Sequence, residues 1–136
     1  MSEREAEIGA RLVRSYRLKY PQHAYQLLHI PNGAVLAGTA QQRSRQMASL
    51  KRQGLVVGAS DYFLAVPGID SHGLWLELKS ERGKPSGAQL AFIKMMREAG
   101  YRAEWAAGYE AAWSVITDHM SGALYKNTIS GMIAAK

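Results

Sequence analysis

SDYFLAVPGIDSHGLWLELK, residues 60–79, is the stretch whose reading decides the fold. Asp61 to Val66 is apolar and aromatic after its first residue, and Leu74 to Lys79 alternates. The loop formers Pro67-Gly68-Ile69-Asp70-Ser71-His72-Gly73 lie between them. Two such runs around a turn-rich connection predict a β-hairpin. Side chains two apart on a strand share a face. Glu77 and Lys79 therefore point one way, and Leu76 and Leu78 the other. Asp61 opens the first strand, and a hairpin can carry it back to Glu77. Two carboxylates and one ammonium then converge at one end of a sheet. Magnesium and manganese favour such oxygen ligands and keep several waters. A lysine beside the metal can orient an attacking water or stabilise charge on a phosphate. Together these groups suit metal-assisted hydrolysis of a phosphodiester. They also suit a plain surface ion pair on a two-stranded hairpin, and spacing alone leaves both readings open.

The hairpin sits in an α-β-α-β-β-α-β-α pattern. Residues 3–19 follow helical spacing, with Ile8, Gly9, Leu12, Val13 and Tyr16 on one stripe. Arg11, Arg14, Arg17 and Leu18 point elsewhere. Glu5 falls inside the apolar stripe, where a carboxylate is costly unless something binds it; Glu3 and Glu7 fall on the opposite face. Tyr20-Pro21 ends the helix. YQLLHI, residues 25–30, suits a strand, and Pro31-Asn32-Gly33 a turn. Residues 39–53 suit a helix with only Met47 and Leu50 as an apolar stripe and Gly54 as its C-cap. After the hairpin, Ser86 opens a helix to about Ala99, and Ser86-x-x-Gln89 has the form of a capping box. Residues 101–106 alternate as a strand, and residues 109–120 read as a last helix. The remainder, residues 121–136, mixes Gly, Ser and Asn with apolar residues. Trp75, Trp105 and Trp113 are expected in the core rather than as platforms for bases.

Composition narrows the function classes. The chain has 136 residues and a formal charge of +6, which suits one domain. It has no cysteine, so disulfides, thiolate zinc sites and thiol nucleophiles are excluded. No apolar run approaches the roughly 20 residues of a membrane span. MSEREAEIGARL lacks a signal-peptide core, so a cytoplasmic location, in a bacterium or a phage-infected host, is expected. His23, His29, His72 and His119 have no metal-ligand spacing, and no nucleotide-binding loop or serine-nucleophile motif occurs, so no nucleotide cofactor is expected. From Ile8 to Ser60 there are eight basic residues and no acidic one, which favours a polyanionic partner.

Most of the chain, from about Glu5 to Met120, resembles the virus-type replication-repair nuclease (VRR-NUC) family of the PD-(D/E)XK nuclease superfamily. The resemblance rests on the ordered series His29-Ile30-Pro31-Asn32-Gly33, Leu50-Lys51-Arg52-Gln53-Gly54, Gly58-Ala59-Ser60-Asp61, Gly73-Leu74-Trp75-Leu76-Glu77-Leu78-Lys79, Pro85-Ser86-Gly87-Ala88-Gln89 and Gly100-Tyr101. It implies an α/β, restriction-endonuclease-like core: a central mixed sheet of about four strands flanked by helices. It also implies a nuclease domain over residues 1–120 and a tail or arm over 121–136. Asp61 and Glu77 would bind Mg2+ or Mn2+, with the Leu78 carbonyl and Glu5 as further ligands. Lys79 would serve the attacking water, and Gln89 would stand at the edge of the site. Ser60 stands where the family pattern has a proline, a change of backbone shape rather than of chemistry.

The implied activity is metal-dependent DNA endonuclease cleavage, selective for branched DNA such as four-way junctions, by a homodimer. Arg43, Arg45, Lys51 and Arg52 would hold the DNA backbone, and Leu124, Tyr125, Ile129, Met132 and Ile133 would help the pairing of subunits. The alternative is a non-catalytic nucleic-acid-binding module of the same fold.

Overall fold

The computed structural model describes residues 1–32 and 36–134. The turn expected at Pro31-Asn32-Gly33 passes outside the described residues at Gly33, as do the side chains of Glu3 and Ile133. The elements are α1 (Glu3–Lys19), a 3-10 helix (Pro21–Gln26), β1 (Leu27–His29), α2 (Ala40–Arg52), β2 (Tyr62–Leu64), β3 (Leu74–Lys79), α3 (Gly87–Glu98), β4 (Arg102–Ala107) and α4 (Tyr109–Ala134). The strands form one mixed sheet in the order β1-β2-β3-β4. The first three are antiparallel neighbours, and β4 runs parallel to β3. A parallel neighbour requires a crossover, and α3 supplies it. The architecture is the expected α/β sheet flanked by helices.

Alternation along β3 divides the molecule. Leu74, Leu76 and Leu78 are buried in the main core with Leu12 and Tyr16 of α1 and Ile116 and Met120 of α4. Trp75 faces the other side and meets Phe92 of α3 edge to face at 5.2 Å. One apolar face thus has two helices over it and the other has one. Gly9 lets α1 approach the sheet, because a Cβ there would collide with the Tyr62 hydroxyl. The stripe read from α1 is the one that is buried: Ile8, Gly9, Leu12 and Tyr16 lie inside, and Arg11, Arg14, Arg17 and Leu18 lie outside.

Four expectations need correction. The strand expected over residues 25–30 is only three residues long, because Pro21 opens a 3-10 turn that runs to Gln26. The strand expected over 61–66 is also short, Tyr62–Leu64. The last helix does not stop near Met120 but runs on to Ala134. No proline interrupts it, and each further residue adds a hydrogen bond to a turn already formed. Its inward residues end at Ala123, so Leu124, Tyr125, Ile129 and Met132 are exposed. Finally, Trp105 is 40% exposed rather than in the core. Among the described residues, no helix is long and apolar enough to cross a membrane.

His119 is a structural histidine. It is buried on α4 and its Nε2 lies 2.6 Å from the Val66 carbonyl oxygen, which pins the loop between β2 and β3.

Candidate active site

The register of β2 on β3 pairs Tyr62 with Leu76. Continued by one residue, it sets Asp61 opposite Glu77, on the face of the sheet that α3 covers. Both acids are buried, with exposures of 7% and 2%. Asp61 Oδ2 accepts from the Leu78 N–H at 2.8 Å. Glu77 Oε1 accepts from Gln89 Nε2 at 2.7 Å and lies 3.5 Å from Lys79 Nζ. Glu77 Oε2 is buried with no hydrogen-bond partner among the described residues.

Gln89 joins two functions that the sequence left as alternatives. Its Oε1 accepts from the Ser86 N–H at 2.8 Å, closing the capping box at the start of α3, while its Nε2 holds Glu77. The cap fixes the amide, and the fixed amide fixes the carboxylate. The same helix end is held close by Gly58. At φ +91, this glycine packs on Ala88, and a Cβ there would stand 2.5 Å from the Ala88 carbonyl oxygen. That approach brings the segment leading into Asp61 against the helix that carries Gln89.

The electrostatics follow from burial. Glu77 is pushed up to about 8, first by loss of water, then by the charge of Asp61, with Lys79 pulling the other way. Asp61 is raised by burial and by Glu5, against lowering by the Leu78 N–H, the N-terminal amino group and Lys79. Two acids facing each other in a dry place resist ionising together. A positive charge placed between them would relieve that resistance and would give Glu77 Oε2 a partner. Mg2+ is commonly held by one or two carboxylates together with water and substrate phosphate. The donor set present here fits such an ion.

The other expected ligands are placed less directly. Glu5 is half-buried at the start of α1's inward face and is close enough to Asp61 to act on it by charge. Its carboxylate, however, accepts from the Ser2 N–H at 2.9 Å in a capping box of its own. Glu7 is exposed. Among the described residues, no three His, Cys, Asp or Glu side chains gather as a metal-holding group. For Leu78, the structure shows the backbone N–H engaged with Asp61. Ser60, where the resembled pattern has proline, is fully buried, and its hydroxyl has no partner among the described residues.

Arg43, Arg45, Lys51 and Arg52 are all exposed on α2, a helix with no buried residue of its own. Thr39 caps its start through a capping box with Gln42, a feature the sequence reading passed over although Thr-x-x-Gln is present. Reading also missed Trp75 as a neighbour of the site. The signal was available, since Trp75 precedes Glu77 by two and must share its face.

No family model matches the sequence, and no curated protein matches it. Among solved structures, the chain is similar to one described as "VRR_NUC domain protein". The TM-score is 0.75 at 21% sequence identity, over 90% of this chain and 92% of that one. The chain has the VRR_NUC fold. In this chain the paired acids stand where β2 begins beside the end of β3, and α3 closes over them.

Proposed function

We propose that the protein is a metal-dependent deoxyribonuclease, an endonuclease that cuts DNA at branched structures. The observation that carries this reading is the meeting of Asp61, Glu77 and Lys79, with a buried Glu77 oxygen that lacks a donor. Asp61 and Glu77 hold Mg2+ or Mn2+, with Glu5 and the Leu78 carbonyl as candidate further ligands. When bound, the metal supplies positive charge against the phosphate and lowers the pKa of water. Lys79, held by Glu77, orients the attacking water and balances negative charge on the phosphate. Gln89 keeps the Glu77 carboxylate aimed. Arg43, Arg45, Lys51 and Arg52 bind backbone phosphates, a contact that weakens with salt and carries no sequence. No motif that reads base sequence stands out, so the cue is the shape of the DNA. Two copies related by a two-fold axis would present two sites to a junction symmetrically. The exposed apolar residues of α4, Leu124, Tyr125, Ile129 and Met132, supply surface for that pairing.

A second reading, a non-catalytic nucleic-acid-binding module, is favoured by one observation: Lys79 already pairs with Glu77, and no third ligand is gathered among the described residues. One experiment separates them. Labelled flaps, forks, four-way junctions and linear duplex are incubated with Mg2+ or Mn2+, using wild type and Glu77→Ala. Cutting by wild type that the variant loses is expected. Intact substrates in every lane with both proteins, while DNA still binds, would give the case to the binding module.

A further inference from the structure

We propose that the cleft between α2 and the α3 side of the sheet takes one unstacked nucleobase of the strand whose phosphate lies at Asp61 and Glu77. The proposal rests on the nuclease reading above and adds a recognition site to it. The cleft has a volume of about 410 Å3, and Ile30, Leu50, Leu55, Trp75 and Phe92 are among the residues lining it. That volume falls within the roughly 300–1,000 Å3 of small-ligand sites, which are mostly apolar with a few polar groups.

Three features select a base over other apolar occupants. The first is position. Trp75 lies two residues before Glu77 on the same face, roughly 7 Å along the strand, a span comparable to that from a phosphate to a neighbouring base. Ala59, also in the lining, lies two residues before Asp61. The second is polarity. The Trp75 indole N–H is buried with no acceptor among the described residues. An indole can only donate, and bases offer ring nitrogens and carbonyls as acceptors. Asn32, also in the wall, is held by donating to the Ala59 carbonyl. The third is charge. Lys51 and Arg52, both exposed, stand on the helix end that gives Leu50 and Gln53 to the wall, so the protein surface beside the cleft is cationic.

Aromatic platforms beside cationic grooves bind bases without regard to sequence. A base in intact duplex leaves its stack only at a cost, and an unpaired base does so most cheaply. The cleft would thus give a physical reason for preferring DNA with unpaired or branched segments.

The test uses a forked duplex with single-stranded arms, with Ca2+ in place of Mg2+ so that binding is read without cutting. Cutting of the same forks in Mg2+ is followed in parallel. One nucleotide at a time is made abasic or replaced by 2-aminopurine. One position, within two nucleotides of the cut, should weaken binding roughly 5- to 100-fold when abasic, and 2-aminopurine there should be quenched. Val56→Trp, at an exposed residue of the wall, should bind the intact fork as weakly as wild type binds that abasic fork. Its affinity for the abasic fork should match wild type. Forks that are cut while no abasic position stands out would overturn the cleft and leave the nuclease intact. Equal weakening of both forks by Val56→Trp would also overturn it. Absence of both binding and cutting would sink the two together.

Discussion

Two charge clusters of equal formal charge stand at opposite ends of the β3–β4 pair. At one end, where Arg102 registers with Leu74, the Arg102 guanidinium lies 2.6 Å from Glu104 and 2.8 Å from Asp118. At the other end, where Lys79 registers with Ala107, Lys79 lies 3.5 Å from Glu77, and Asp61 stands beside it. Each cluster has two acids and one base. Asp118 is 72% exposed in its side chain and needs nothing more from the protein. Glu77 is 3% exposed in its side chain, is pushed up to about 8 by burial and leaves an oxygen without a partner among the described residues. Charge count does not distinguish the clusters. Burial without full satisfaction does, and the second is where the proposed cation would bind.

The contrast can be broken most sharply by substitution under cutting conditions. Asp61→Asn, Glu77→Ala and Lys79→Ala should each lower cleavage by on the order of 1,000-fold or more, since such groups act as a unit. Asp118→Asn should leave it within about twofold. Gel assays on a fork in Mg2+ read the difference, and EDTA should abolish the wild-type activity.

Metal binding offers a second measure. Mg2+ or Mn2+ should raise the melting temperature of wild type progressively, by about 2.7 kcal/mol of stability at 100 times the Kd. Asp61→Asn should lose that response and Asp118→Asn should keep it. With Glu77 pushed up to about 8, a metal bound by its carboxylate near neutral pH would displace a proton, and calorimetry in buffers of different ionisation enthalpy should show that release.

The metal-free protein has a pH signature of defined sign. The folded-state pKa of Glu77 is raised, from 4.5 to about 8. Its contribution to stability is therefore fully present below about pH 4.5 and is lost as pH rises through 8. Glu77→Gln removes that loss. The variant should gain on wild type between pH 5 and pH 8, by on the order of 1–3 kcal/mol at pH 8. The difference between the two proteins isolates Glu77 from His119. The latter's pKa is lowered by burial, so its contribution falls away on the acid side of the same range. Denaturant titrations at several pH values test this, and parallel curves would contradict the burial of an unsatisfied acid.

Backbone geometry supplies a smaller effect. Gly58→Ala places a Cβ at φ +91 against the α3 backbone and should cost about 1–3 kcal/mol. Asp118→Asn marks the lower limit: an exposed ion pair contributes about 0–1 kcal/mol, and its melting temperature should stay within a few degrees of wild type.

The parts of the fold that were legible in the sequence share a cause. The α1 stripe, the β3 alternation and the Ser86 cap are set by neighbours within about four residues, where helix and strand periods act. The pairing of Asp61 with Glu77 was legible as well, because one hairpin joins them. The corrected elements lacked such local support. Residues 121–134 carry Gly, Ser and Asn that suit a loop, yet they extend a helix already nucleated against the core. Trp105 alternates correctly on β4 and shares the face of its register partner Glu77, yet on this edge strand it stays 40% exposed.

By itself, the sequence determined which residues could share a face: Glu77 with Lys79 and Trp75, Leu76 with Leu78, Ile8 with Leu12 and Tyr16. Those relations follow from the fixed periods of a strand and a helix. Only the tertiary structure decided how dry each face is and what is left unpaired on it. It set Gln89 on Glu77 through the packing of α3, turned the Glu5 carboxylate to its own helix start, and left Arg102 and its two acids in partial contact with water. Burial depends on what distant segments cover, and no local period encodes that.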